Sequence, residues 1–236
     1  MPNPDLQRQM YEVTGPSRGQ RVTLAVLNAV SLALAWGLLV GGGIVLAGSW
    51  LGRTWTPGDP VRRACLAAAL SVYFVRLLFT EFVFLRRGIS WSEVFTIAPW
   101  VLFLFVFLSL AAGTNAAPFG LATAAGAVLF VFGSWMNSFA EHQRHVWKQR
   151  PENRGRLYTG GLFRYTRHPN YLGDLISFSG LCLFTGRWIT ALVPALMLAG
   201  FVFVNVPVLD AHLASHYGLE FEEYAKRTRK LIPFLY

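Results

Sequence analysis

Six apolar stretches alternate with polar connections along the chain, at about 22–50, 61–85, 94–112, 118–140, 170–185 and 188–208. A helix that crosses a membrane needs about 20 mainly apolar residues. That leaves the fifth stretch short, so it is expected to start at the interface or to lie buried among the others. No long polar–apolar alternation supports a barrel. The predicted class is therefore all-α: a polytopic membrane helical bundle of about six transmembrane helices. A tail over 1–21, polar and with three prolines, does not read as a cleaved signal peptide. The rest, 22–236, forms one membrane domain. Beyond Asp210 the pattern becomes amphipathic, with Leu213, Tyr217, Phe221 and Tyr224 at helical spacing. This C-terminal amphipathic helix is expected to lie on the bilayer or to cover the connection between the fourth and fifth stretches. The first stretch carries Gly41-Gly42-Gly43 at its middle and reads as a packing helix, and Pro207 is expected to kink or end the sixth.

Composition agrees with the pattern. Only 14% of the 236 residues are charged, against about 25% in soluble domains. The net charge of +9 is unevenly placed. With a cytoplasmic N-terminus, 16 Lys and Arg fall on inner segments and four on outer ones, with Arg76 inside a span. The positive-inside rule then puts both termini in the cytoplasm. Such an excess suits lipid headgroups and topology, or a site for an anionic cofactor. Nucleic acid is not an expected partner, because the charge lies between apolar spans. Cys65 and Cys182 fall inside apolar stretches and read as reduced packing residues. His142 and His145 are three apart, but no second pair completes a metal site, and none is expected. No G-x-G-x-x-G follows a strand, so a Rossmann domain is not expected either.

The candidate chemistry gathers between Glu141 and Ser177, which hold seven of the 21 Lys and Arg and three of the five His. Asn137, Glu141, Arg144 or His145, and Lys148 are spaced by three and four and form one helical stripe leading out of the fourth stretch. A solvated face explains its outer part, while Asn137 lies deeper and suits a bound polar molecule. Pro169 fits a first helical turn, with Arg167 and His168 just ahead of it. A helix start of this kind offers free N–H groups and a positive dipole end to a phosphate or carboxylate, and His168 alone also fits a cap. Asn170 and Asp174 share a face. Within the second stretch, Tyr73 and Arg76 stand one turn apart. Glu81, about 140° further round, is a poor partner for Arg76. Arg76 therefore needs an acid on another helix, a ligand or the surface. Tyr73 is either a packed ring or, near that arginine, a proton donor.

The string GGLFRYTRHPNYLGDLI followed by FEEYAKRTRKLIPFLY resembles the C-terminal domain of the steroid 5-alpha-reductase family, in a bacterial branch. Sterol C14 and C7 reductases share the likeness. It extends upstream to VYFVRLLFTEFVFLRRG and GSWMNSFAEHQRHVWKQRPENRGRLYTGG, and so covers roughly 72–236. Isoprenylcysteine carboxyl methyltransferases carry a similar R-H-P-x-Y-x-G and a similar Y-x-x-Y tail. In the reductases these motifs bind NADPH. The resemblance implies cofactor contacts from Arg76, Asn137, Glu141, Arg156, Asn170, Asp174 and Tyr217. Arg167, His168 and Tyr171 stand in the same motif, and Lys148 on the stripe. Asp210 fits either cofactor, NADPH or the S-adenosylmethionine of the methyltransferases. Tyr73 matches the family's proton donor at the substrate carbonyl. Glu81, the single carboxylate of the first two stretches, is the second catalytic candidate. Those stretches hold no Gln-Glu pair of the kind that grips the 3-oxo group in the steroid enzymes. The implied function is an NADPH-dependent reductase of a carbon–carbon double bond in a lipophilic substrate such as a steroid, sterol or isoprenoid-like enone, in a bacterial inner membrane. The alternatives are an S-adenosylmethionine-dependent membrane methyltransferase and a non-enzymatic scaffold.

Overall fold

The computed structural model describes residues 15–236, and helices account for nearly every element in it. The first, α1 (Arg18–Leu39), takes in the last four residues of the expected polar tail. Residues 1–14 of that tail, with Arg8, lie outside the described residues. Arg21 donates to Leu85 O at 3.0 Å and Arg87 O at 2.7 Å, which fastens the start of α1 to the end of the second apolar stretch.

The first stretch does not continue as one helix. Gly42 takes φ 77°, and α2 (Gly43–Trp50) starts afresh. A Cβ at Gly43 would stand 2.7 Å from Gly37 O, so the triple glycine makes a tight break where a packing helix was expected. Next comes α3 (Pro60–Phe79). Asp59 caps it by accepting from Arg62 N at 2.7 Å, and Pro60 occupies its first turn. A wide π turn, Thr80–Phe84, prolongs it. The start of α4 (Trp91–Gly113) is a reciprocal capping box between Ser90 and Glu93. The 29 residues of α5 (Leu121–Gln149) reach about 43 Å, beyond a hydrocarbon core of about 30 Å. Its last turns therefore stand outside the bilayer.

The short fifth stretch forms α6 (Pro169–Thr185). Its 17 residues reach only about 25 Å. It is not among the five described helices that are long and apolar enough to cross a membrane. It nevertheless runs from Asn170, bonded to Glu141, to Phe184 and Thr185, bonded to Arg62 and Asn115 at the other end of the bundle. The sixth stretch winds through α7 (Leu192–Gly200), a π turn at Phe201–Asn205 and α8 (Val206–Tyr217). Pro207 neither ends nor interrupts this path. It sits in the first turn of α8, just after the wide turn. Gly218, at φ 52°, makes the actual break before α9 (Leu219–Arg227). The protein is an all-α, multi-pass integral membrane bundle. Val26, Val30 and Leu34 of α1, and Val128, Val131 and Trp135 of α5, are exposed on its flanks, where lipid would cover them.

Inside, Tyr73, Phe105, Phe178 and Leu181 belong to one continuous apolar core. The closest packing is between α5 and α6, and four glycines make it possible. A Cβ at Gly133 would lie 2.5 Å from Gly173 O, and one at Gly126 would lie 2.6 Å from Gly180 O. The same holds in reverse from α6, where a Cβ at Gly173 would meet Asn137 N at 2.6 Å. The two backbones touch antiparallel at two points a heptad apart, as small residues permit in membranes.

Candidate functional site

The glycine seam sets the height of every polar residue beyond it. One turn past Gly133, Asn137 Nδ2 donates to Asn170 O at 2.9 Å. One turn further, Glu141 accepts from Asn170 Nδ2 at 3.0 Å and from Arg144 at 2.5 Å. The stripe on α5 and the start of α6 thus form one ladder, with Asn170 as its middle rung. Glu141 is buried beside a cation that is 40% exposed, so one side of this pair faces water.

A second group is built by residues far apart in sequence. Asp210 of α8 accepts from Arg167 Nη2 at 2.7 Å, and its other oxygen lies 2.9 Å from His168 Nε2. Arg167 also donates to Ala225 O at 3.2 Å and stands over the Phe221 ring. Its Nε is buried without a partner among the described residues. Burial lowers the affinity of His168 for a proton, and Asp210 opposes this only in part. The His168 ring stacks on Tyr171, which stacks in turn on Phe201 at 4.7 Å.

The C-terminal helices cover this group, one of the two places expected for the amphipathic segment. Phe221 and Tyr224 pack with Ala140, Leu157 and Phe163 in a separate apolar cluster, and Leu213 and Tyr217 border it. The Tyr224 hydroxyl donates to Phe163 O at 2.6 Å, and burial raises its pKa. Lys148 Nζ bonds the Tyr217 hydroxyl at 2.8 Å and also Arg156 O. The central connection is therefore roofed by the last two helices.

Beneath this roof lies a cavity of about 280 Å³, and beside it a second of about 580 Å³. Glu141, Arg144, Asn170 and Leu213 line both, so they adjoin. The first is lined by Arg86, Arg87, Arg144, Lys148 and Arg167, with Glu141 the one carboxylate, and has aromatic walls from Phe84, Tyr158 and Tyr217. Arg87, Arg144 and Arg167 are already paired, with Glu93, Glu141 and Asp210, so Arg86 and Lys148 supply the excess positive charge, which with the buried Nε of Arg167 fits an anionic group such as a phosphate. The rings offer faces on which a base can stack.

The structure gathers Glu141, Lys148, Arg167, His168, Asn170 and Tyr217 on the first cavity and Tyr171 on the second. Asn137 and Asp210 stand directly behind as supports. The remaining candidates lie elsewhere. Arg76 finds its acid in Asp174, at 2.5 Å, and also donates to Ser134 at 3.1 Å. These two expected cofactor residues thus spend charge on each other, away from both cavities. Tyr73 packs edge-on against Phe105 and Phe178, with the Arg76 guanidinium 5.2 Å from its ring centre. The Arg156 side chain lines a separate surface recess with Glu220 and Glu223. Glu81 turns to α1, where Asn28 donates to it at 3.2 Å, so it is not brought together with Tyr73's neighbours. Sequence reasoning passed over Arg86, Phe84 and Tyr158 as cavity lining. It also passed over the glycine seam, whose signal was the seven-residue spacing of Gly126 and Gly133, and of Gly173 and Gly180.

Parts of the chain are similar to known proteins. A "Probable O-methyltransferase ustE" of Ustilaginoidea virens is 40% identical over 91 residues, which are 38% of this chain and 32% of that protein. The protein-S-isoprenylcysteine O-methyltransferase of Schizosaccharomyces pombe is 32% identical over 79 residues, 34% of each chain. The 3-oxo-5-alpha-steroid 4-dehydrogenase 2 of Homo sapiens is 32% identical over 111 residues, 47% of this chain and 42% of that one. The aligned stretches thus span less than half of each of these relatives. A family profile described as "Protein of unknown function (DUF1295)" matches residues 85–228, from the end of the π turn through α9. The matched span holds the ladder, the Arg167–His168–Asp210 group and all of the lining of both cavities but Thr80 and Phe84, and the chain belongs to the DUF1295 family, within the superfamily of steroid 5-alpha-reductases and isoprenylcysteine methyltransferases.

Proposed function

We propose that the protein is a membrane-embedded enzyme that reduces a carbon–carbon double bond in a lipophilic enone with NADPH. The observation that carries this reading is the cation-lined cavity under the C-terminal roof. Lys148, Arg167 and Arg86 would hold the phosphates of the dinucleotide, Asn170 and Glu141 its hydroxyl or amide groups, and Tyr217 or Tyr158 a ring. When bound, the cofactor supplies a hydride. Tyr73, which borders neither polar cavity, is assigned the proton donation by its place beside the Arg76–Asp174 pair. His168 is kept neutral by burial and acts as a positioning residue through Asp210. With the basic connection facing the cytoplasm, as the charge asymmetry indicates, the cavity opens to the soluble nucleotide pool.

A second reading is supported by the 40% identity to an O-methyltransferase. On that reading S-adenosylmethionine fills the same cavity. The two cofactors differ in charge, so thermal stability of the purified protein separates them. We expect NADPH to raise the melting temperature more than NADH does, with S-adenosylmethionine shifting it little. At a hundred times the dissociation constant the stabilisation is about 2.7 kcal/mol. A shift with S-adenosylmethionine alone overturns the reductase reading in favour of the second.

A further inference from the structure

The segment that follows α9 is tied to the turn ahead of α6. Thr166 forms a parallel bridge with Arg229, and its hydroxyl donates to Lys230 O at 3.0 Å and to Leu231 O at 2.8 Å. Arg167 N donates to Arg229 O at 2.9 Å. The chain then hooks back, with Leu231 N and Ile232 N donating to Tyr236 O at 2.6 and 2.7 Å. Phe234 takes the left-handed region within the hook, at φ 67°, which is rare for a side chain of its size. Leu231 is fully buried and anchors the segment. Phe234 and Leu235 are 87% and 78% exposed, and Tyr165, next to the bridge, is 62% exposed.

The height of the hook follows from α6. Thr185, at the far end of that helix, is bonded to Asn115 at the opposite polar end of the bundle. The helix has 17 residues and reaches about 25 Å, less than a hydrocarbon core of about 30 Å. The residues just ahead of Pro169, and the hook bonded to them, therefore stand at the edge of the bilayer, in the headgroup layer. Apolar side chains exposed at that depth meet the boundary between headgroups and acyl chains. Arg164, Arg229 and Lys230 share this place, and none of them has an ion-pair partner among the described residues. Lys230 has only the Tyr236 ring, 5.1 Å from its Nζ. The nearby acids Glu220 and Glu223 line a recess with Arg156 and Arg227, two other cations. Three unbalanced cations beside exposed apolar side chains match a partner that is anionic at headgroup depth and apolar below it.

We infer that the hook and the Arg164–Tyr165 turn form a clasp for an anionic phospholipid, with the lipid phosphate among Arg164, Arg229 and Lys230 and its chains against Tyr165, Phe234 and Leu235. Because Arg167 N hangs from Arg229 O, an occupied clasp steadies a residue that borders the first cavity. Lipid binding itself rests on neither cofactor reading. It is tested on the full chain in phosphatidylcholine nanodiscs without nucleotide. The probe is a trace of phosphatidylglycerol with a diazirine at the top of one acyl chain, and adducts are mapped by peptide mass spectrometry. Each cation near the surface is worth about fivefold toward an anionic lipid. We therefore expect adducts at Phe234 and Leu235 that unlabelled phosphatidylglycerol displaces at least about tenfold better than added phosphatidylcholine. At about 1 M salt, where the screening length is about 3 Å, most of that preference should vanish. Arg229→Gln with Lys230→Gln keeps the main-chain bonds of the hook and should bring the two lipids close to parity. Should that variant fail to fold, the salt dependence of the wild type carries the test. Equal displacement by both lipids would mean an ordinary interfacial surface and overturn the inference. So would a hook that takes no label, a preference that survives high salt, or a folded double variant with the wild-type preference. Because nucleotide is absent, failure here is distinguishable from failure of the NADPH shift.

Discussion

Arg62 and Arg167 are both nearly excluded from solvent, at 2% and 8% exposure, and they sit at opposite ends of the bundle. Arg62 gives its donors to main-chain oxygens: Phe184 O at 2.5 Å, and Ala117 O and Pro118 O at 3.2 Å. The carbonyls at the end of α6 carry partial negative charge, so a cation placed there is held by the helix itself. Arg167 shares the habit, donating to Ala225 O, but its other arm is paired with Asp210, and it borders a cavity. At the Arg62 end, charge joins loops to helix ends. At the Arg167 end, it is stored in side-chain pairs that a ligand can rearrange. Burial of an arginine alone does not distinguish a fastening from a site. The partner does.

Four measurements press on that contrast. The largest effect is expected from the core between the two ends. Tyr73→Phe keeps the ring packing against Phe105 and Phe178 and removes only the hydroxyl. NADPH-dependent turnover of an enone lipid should fall about 10²–10⁴-fold, with the melting temperature unchanged. An unaltered rate would reduce Tyr73 to packing.

Next is the Arg76–Asp174 pair. Arg76→Ala leaves a buried carboxylate alone, and loss of about 3–5 kcal/mol in stability is expected. Replacing both, as Arg76→Met with Asp174→Leu, should recover most of it, because neither charge is then left unpaired. Nucleotide affinity should survive in the double variant, since neither residue lines the cation-rich cavity. Loss of affinity there would return both to the cofactor.

Arg62→Ala tests the opposite end. Three carbonyls lose a charged donor, but only the Phe184 O bond is buried, and leaving that acceptor unmet costs about 1–3 kcal/mol. Unfolding in detergent should come markedly earlier, while the nucleotide affinity of the folded fraction stays at the wild-type value.

The smallest effect concerns acid. His168 is surrounded by Asp210, Arg167 and Arg144, and burial sets its folded pKa below the ordinary value of about 6.5. The unfolded chain therefore binds the proton first as pH drops through that value. The contribution of this residue is present above about pH 6.5 and lost below it. His168→Gln should flatten stability against pH on the acid side. An unchanged acid slope would mean that His168 contributes nothing to it.

Much of this arrangement was legible beforehand, for a definite reason. Asn137, Glu141 and Lys148 repeat by fours and threes on one helix, and periodicity reports whatever lies on one helix. The fit of proline to a first turn gave the helix start at Pro169, with Arg167 and His168 ahead of it. Periodicity is silent about partners on other helices. Asp210 meets residues 42 and 43 positions away. Glu81 was a catalytic candidate as the single carboxylate of the first two stretches, whereas the structure gives it to Asn28 of α1. Hydropathy likewise sees Gly41-Gly42-Gly43 as apolar and misses the break that its backbone makes. The joining of Arg76 to Asp174 was half visible, since a charge inside a span with no mate on its own helix demands one elsewhere.

The seam at Gly126 and Gly133 acts as a ruler for everything that follows it on α5. Between Gly133, locked against Gly173, and Glu141, bonded through Asn170, there is no loop in which an error of length can be absorbed. One residue inserted there would turn the rest of the helix by about 100°. Asn137 and Glu141 would then swing off the face that meets Asn170. Insertions between 133 and 141 should therefore be absent from functional variants, even where the inserted residue is alanine. In the exposed turn around Gly155, added length has somewhere to go.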